Sequence, residues 1–217
     1  MSCLRSVLLT VLLLAILVPS AGRAQTADST SLLPAIQQRY EQLDGLRATF
    51  TQKIRSDFAS GSTRMQGTLL LKQEKYRVET DEQTLVTDGT TTWIYTPADQ
   101  QVIINHADQD ASTLSPETFF TDYADHYRVV RAEEVWQNGV RHRKLRLTPT
   151  SSQTLFREVT LWVRPNDPIV TRLRVTDRDG SEITISLEDI DLNPGLRASD
   201  FTFTPPEYAD VVDLRSS

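Results

Sequence analysis

The sequence predicts a mainly β protein, a single antiparallel sheet that curls into a barrel or part of one, preceded by one helix. Two observations carry this. Apolar and polar residues alternate with period two in one short segment after another, the pattern of strands that bury one face. Between the segments stand Asp88-Gly89, Asn138-Gly139 and Asp179-Gly180, where glycine supplies the positive φ of a tight hairpin turn.

The first element is the helix. From Thr30, the spacing of Leu33, Ile36, Tyr40, Leu43 and Leu46 follows a helical period, with Ser and Thr available as caps, Pro34 tolerable in the first turn and closure expected near Asp44-Gly45. The period then changes to two: Leu46, Ala48, Phe50 and Ile54 alternate with Arg47, Thr49, Thr51, Lys53 and Arg55. Further strands are expected at 65–71, 76–80, 85–86, 91–95, 101–104, 127–132, 141–147, 158–163, 169–177 and 182–187. So many short strands joined by tight turns describe a sheet that curls on itself. One segment interrupts them. Residues 112–124 hold Pro116 at a first helical position and Leu114, Phe119, Phe120 and Tyr123, which fits either a helix plugging one end of a barrel core or a lid over an apolar cavity.

Ahead of the helix, Arg5, an apolar run from Val7 to Val18 and the small residues up to Ala24 have the order of a cleaved secretory signal peptide. The run is shorter than the roughly 20 residues of a membrane span. The expectation is therefore removal of residues 1–24 and one soluble exported domain over 25–217. Cys3 would leave with the signal and does not directly follow the apolar run, so neither a disulfide nor a lipid anchor is expected. Removing Arg5 and Arg23 leaves 21 basic against 29 acidic residues, a balance that does not favour nucleic acid.

Motifs for chemistry are absent. His106, His126 and His142 are scattered, without His-Glu-x-x-His and without cysteine partners, so no metal is expected. Asp177-Arg-Asp-Gly-Ser-Glu182 resembles part of a calcium loop but reads better as a hairpin turn. There is no Gly-x-Ser-x-Gly, phosphate-cradling loop or Gly-x-Gly-x-x-Gly, which argues against an enzyme and against a nucleotide or other cofactor. What remains is an apolar and aromatic set on the strands: Phe50, Leu69, Leu71, Tyr76, Val78, Trp93, Tyr95, Val102 and Ile104. Such a face lines either the sheet's own core or a ligand cavity.

The order of motifs resembles the LolA family of periplasmic carriers of outer-membrane lipoproteins. Leu46-Arg-Ala-Thr-Phe-Thr-Gln-Lys53 follows the helix, then come Gly67-Thr-Leu-Leu-Leu-Lys72, Tyr76-Arg-Val78 and Val86-Thr-Asp-Gly89. Thr92-Trp-Ile-Tyr-Thr-Pro97, Gln100-Gln-Val102, Leu145-Arg-Leu-Thr-Pro149 and Asp200-Phe-Thr-Phe-Thr-Pro-Pro206 complete the match across nearly the whole exported part. The resemblance implies an incomplete, unclosed antiparallel barrel with the N-terminal helix and a short helical lid over its open side. It also implies a cavity for the acyl chains of lipoproteins, to which Ile36, Leu43, Phe50, Leu69, Leu71, Tyr76, Val78, Trp93, Tyr95, Phe119, Phe120 and Tyr123 are assigned. Acylated lipoproteins are then the cargo, an inner-membrane ATP-driven releasing complex the donor and a LolB-like outer-membrane protein the acceptor. The carrier itself is expected to be a periplasmic monomer; a lipid- or lipoprotein-sensing module on the same fold is the alternative.

The sequence departs from the family pattern at two positions. Lys72-Gln73-Glu74 stands where Lys-Arg-Pro is common and where the arginine is associated with holding the lid shut, and Gln73 cannot make the same charged hydrogen bonds. Val78 replaces an expected aromatic and leaves a smaller wall.

Overall fold

The computed structural model describes residues 31–56, 61–107, 126–151, 154 and 156–215. The chain enters through helix α1 (Leu32–Glu41) and strand β1 (Leu46–Arg55), followed by β2 (Ser62–Lys72), β3 (Lys75–Thr80), β4 (Thr84–Thr87), β5 (Thr91–Thr96) and β6 (Gln101–His106). The second half runs through β7 (Tyr127–Gln137), β8 (Val140–Pro149), β9 (Phe156–Val163), β10 (Val170–Asp177), β11 (Glu182–Leu192) and β12 (Asp210–Asp213). They form one sheet in the order β12-β6-β5-β4-β3-β2-β1-β11-β10-β9-β8-β7, with β12 and β7 as its two edges. The sheet is not closed.

Neighbours from β6 to β7 pair antiparallel, mostly through hairpins, and β1 lies at the centre because β11 returns across the molecule to pair with it. The turns follow the sequence chemistry. Asn138 and Gly139 join β7 to β8 with φ of 50° and 75°, the double positive φ of a type I′ turn. At the β2–β3 hairpin tip it is Gln73 that adopts φ 54°, a conformation costly for a residue with a Cβ.

Strands β7 and β11 each run five residues beyond the expected ends at 132 and 187, and two further elements differ more deeply from the sequence reading. Helix α1 ends at Glu41 with Gln42 as its C-cap, a turn earlier than Asp44-Gly45, so Leu43 lies buried in the connection. Strand β12 has no counterpart among the expected strands. It pairs parallel with β6, from Asp210 opposite Gln101 to Asp213 opposite Ile104. Its four residues are too few to display a period, and its pairing depends on a distant segment returning to the edge.

The main core lies between α1 and one face of the sheet. Leu33, Ile36 and Tyr40 of the helix join Leu46, Leu71, Leu145, Leu161 and Leu173 of the strands in a single buried cluster. Two polar contacts fix where the helix lies. Arg39 Nε donates to Asp167 Oδ1 at 2.5 Å, and the buried Tyr40 hydroxyl accepts from Val170 N–H at 3.3 Å, both at the entry to β10.

A second apolar layer covers the opposite face. Val86 and Val102 are fully buried and Ile104 nearly so, yet none belongs to the main cluster. The segment from Leu196 to Tyr208 lies along this side. Lys72 Nζ donates to Leu196 O and Arg77 Nη1 to Thr202 O, while the Tyr95 ring stands 5.7 Å from Phe203 and its hydroxyl 3.2 Å from that of Tyr208. Phe201 is fully buried there.

Candidate functional site: the apolar inner face of the sheet

Register decides which side chains meet. In an antiparallel pair, directly opposite residues share a face, so the apolar rows can be followed from strand to strand. One row runs Ala48–Leu69–Val78–Leu85–Ile94 and its neighbour Leu46–Leu71–Tyr76–Thr87–Thr92. On the other half of the sheet Ile185–Leu173–Leu161–Leu145 and Ile183–Val175–Val159–Leu147–Val129 continue the same surface. Phe50 sits at the junction, opposite Gly67 on β2 and Leu187 on β11. Its ring lies so close over Gly67 that a Cβ there would stand 2.9 Å from the ring and 2.1 Å from Glu79 O.

The sequence-assigned residues divide accordingly. Ile36, Leu43, Phe50, Leu69, Leu71 and Tyr76 are buried in the inner cluster, and Val78 packs against it. Trp93 and Tyr95 are not brought together with them. They alternate with Thr92 and Ile94 along β5, and it is Ile94 that faces the inner cluster; Trp93 pairs with Ile104 and Tyr95 with Val102 on the outer layer. The physical reason is that β5 is covered on both sides, so aromatic character alone does not mark the inward face. Phe119, Phe120 and Tyr123 lie outside the described residues.

Half of this surface comes from β8 to β11, with Leu145, Leu161 and Leu173 among its members, and none of these is in the sequence-assigned set. The signal for them is present in the alternation of those strands. An assignment weighted toward aromatic residues misses it, because β8, β10 and β11 contain no Phe, Tyr or Trp.

The inner face is predominantly apolar. Its buried polar members include Tyr40, whose ionisation burial drives well above the ordinary range, Tyr76 and Tyr127, and Thr87 and Thr92, of which Thr87 Oγ1 donates to Thr91 O. Among the described residues no three His, Cys, Asp or Glu side chains gather as metal ligands, and no helix is long and apolar enough to cross a membrane. Burial of apolar surface is what this face can offer, and that interaction is non-directional.

An unclosed β half-barrel with a helix laid against its apolar inner face is thus the class of protein that fold and site define. The chain belongs to the family described as outer membrane lipoprotein carrier protein LolA, whose model matches residues 41–204. It is 29% identical over 201 residues to an outer-membrane lipoprotein carrier protein of Pectobacterium carotovorum subsp. carotovorum (strain PC1), covering 90% of this chain and 94% of the relative. The corresponding carrier of Aliivibrio salmonicida (strain LFI1238) is 31% identical over 191 residues, 83% of this chain and 89% of its own.

Solved structures agree at the level of fold. An uncharacterized conserved protein from Thermus thermophilus superposes with a TM-score of 0.57 at 16% identity, covering 84% of this chain and 97% of that one. The Mycobacterium tuberculosis lipoprotein LppX does so with 0.50 at 10% identity, covering 77% and 98%.

Proposed function

We propose that this protein is a periplasmic carrier that holds the acyl chains of lipoproteins against its inner face and moves them from the inner to the outer membrane. The observation that carries the reading is the continuous apolar face of an unclosed sheet, in a chain related over most of its length to outer-membrane lipoprotein carriers. Each methylene exposed to water costs about 0.8 kcal/mol, so a chain of about 16 carbons costs roughly 13 kcal/mol and cannot cross an aqueous compartment unaided. A surface that shields it by apolar burial makes no demand on the protein part of the cargo.

A carrier that captured all of that energy would not release its load. The inner face solves this by being occupied when empty. Leu33, Ile36 and Tyr40 of α1 already pack on it, so an incoming chain displaces internal contacts and gains only the difference. Loading then needs energy from elsewhere. We assign that to an ATP-driven complex in the inner membrane, since this sequence has no nucleotide motif, and unloading to an acceptor at the outer membrane. Export by removal of residues 1–24, catalytic inactivity and a monomeric state belong to the same proposal.

The test is to add purified protein to spheroplasts that are synthesising lipoproteins. Release of lipoproteins into the soluble fraction in a one-to-one complex is the expected result. No release, despite binding of free acyl chains, would sink the carrier reading and favour a sensing module.

A further inference from the structure

On the face opposite the acyl-chain surface, the register collects cations. Arg64, Lys53, Thr184, Arg174, Thr160, Arg146 and Arg131 are successive cross-strand partners from β2 to β7, five cations and two threonines with no carboxylate among them. At strand spacing this row extends roughly 29 Å. Arg131 stands directly opposite Arg146, and Lys53 directly opposite Arg64. Like charges so placed oppose folding, and they do so in a chain whose net charge is −6.

Between β7 and β10, Arg131, Lys144, Arg146 and Arg174 line a notch of about 330 Å³ with Glu133, Glu158 and Thr160. Glu133 is already engaged, 2.8 Å from Arg131 and 3.0 Å from Lys144. Arg146 and Arg174 have no carboxylate within ion-pair distance among the described residues. Beside the notch Trp162 is buried under three cations, Arg172 at 4.9 Å from its ring and Lys144 and Arg174 at 5.8 Å. Four buried side-chain polar atoms lack a partner among the described residues, and three of them, Thr148 Oγ1, Arg172 Nε and Arg174 Nε, belong to this face. Arg174 lines the notch with its Nε buried and short of an acceptor, and the exposed Arg146 shares the notch with it. Such guanidinium donors are what an oxyanion satisfies, since a tetrahedral phosphate meets the arginine fork with two parallel hydrogen bonds.

We propose that this notch binds a phosphate group, with Arg146 and Arg174 as its principal donors and Arg131 and Lys144 at its rim. The rest of the row raises the local potential and steers the anion in. The phosphate is that of an anionic lipid headgroup or free phosphate. Every residue of the notch lies on the face away from the inner cluster, so its binding does not depend on the carrier reading.

Two arms on the whole protein test it and separate the sources: calorimetric titration with inorganic phosphate, and co-sedimentation with phosphatidylglycerol-containing vesicles against pure phosphatidylcholine. Binding in either arm, weakening with added salt and reduced at least about tenfold in R146Q/R174Q, is expected, because hydrogen bonds to charged groups of this kind are each worth about that factor. R141Q/R157Q, which removes two cations outside the row, should bind like the native protein. Vesicle binding with a silent phosphate arm assigns a headgroup, and the converse assigns free phosphate. Absence of binding in both arms, or equal binding by R146Q/R174Q, overturns the proposal. Should that variant fail to fold, R146K/R174K keeps the charge but loses the fork, and unaltered binding by it contradicts the assignment equally.

Discussion

Asp213 and Arg215 lock the end of the chain by charge. Arg215 donates to both oxygens of Asp213, at 2.9 and 2.6 Å, and reaches Thr91 Oγ1 on β5 at 3.4 Å. These bonds hold the Asp213 carboxyl down at about 2 against an ordinary 3.8. A depressed carboxylate contributes stability that is complete above about 3.8 and is lost as pH falls through about 2. NMR titration should therefore find Asp213 ionised to about pH 2, and Arg215→Ala should return its midpoint toward 3.8. A midpoint unmoved by that substitution would mean the contact is not formed in solution. Gly67 makes a second residue-scale case. Its Cβ would lie 2.1 Å from Glu79 O, and neither backbone can yield without breaking the β2–β3 ladder. Gly67→Ala should cost about 1–3 kcal/mol or more by urea unfolding; an unaltered midpoint would show that Phe50 and β3 shift freely.

At the scale of elements, the segment behind β3 to β6 is a structural layer in its own right. Phe201 is fully buried outside the main cluster, so Phe201→Ala should lower stability by about 3–5 kcal/mol while leaving acyl-chain binding by the folded fraction intact, measured by denaturation and by displacement of a fluorescent fatty acid. Loss of binding by the folded protein would instead place the ligand on this outer layer. The same layer explains what the sequence could and could not reveal. The hairpins were legible because Asp-Gly and Asn-Gly carry their own turn geometry, and the half-buried strands because alternation has one wet face. Strand β5 was not legible in this way: Thr92 and Ile94 are covered from inside and Trp93 and Tyr95 from outside, so either parity could have been inward. Helix α1 ends early because Leu43 and Leu46 keep helical spacing only by coincidence, while serving the connection and β1. Strand β12 depends on a long return that no local pattern records.

The whole molecule is a sheet around a central β1 whose outer face is basic from β1 to β7 and carries the second apolar layer behind β3 to β6. Inside, Leu46, Ala48 and Phe50 contribute to an apolar surface; outside, Lys53 belongs to a basic row. On the function proposed above, that division would let lipid be held on the inner face while the basic part of the outer face stays in contact with water. It was legible in part, since period-two alternation dictates that a sheet has unlike faces, but the alignment of five cations across seven strands is set by register, which no single segment encodes.

Site-specific photocrosslinking tests the carrier most directly. A photoreactive residue placed at Leu69 or Leu173 on the inner face should crosslink to a lipoprotein during release from spheroplasts, and one at Trp93 or Thr160 on the outer face should not. Crosslinks confined to the outer positions, or equal at both, would contradict the assignment of the inner face as the acyl-chain surface.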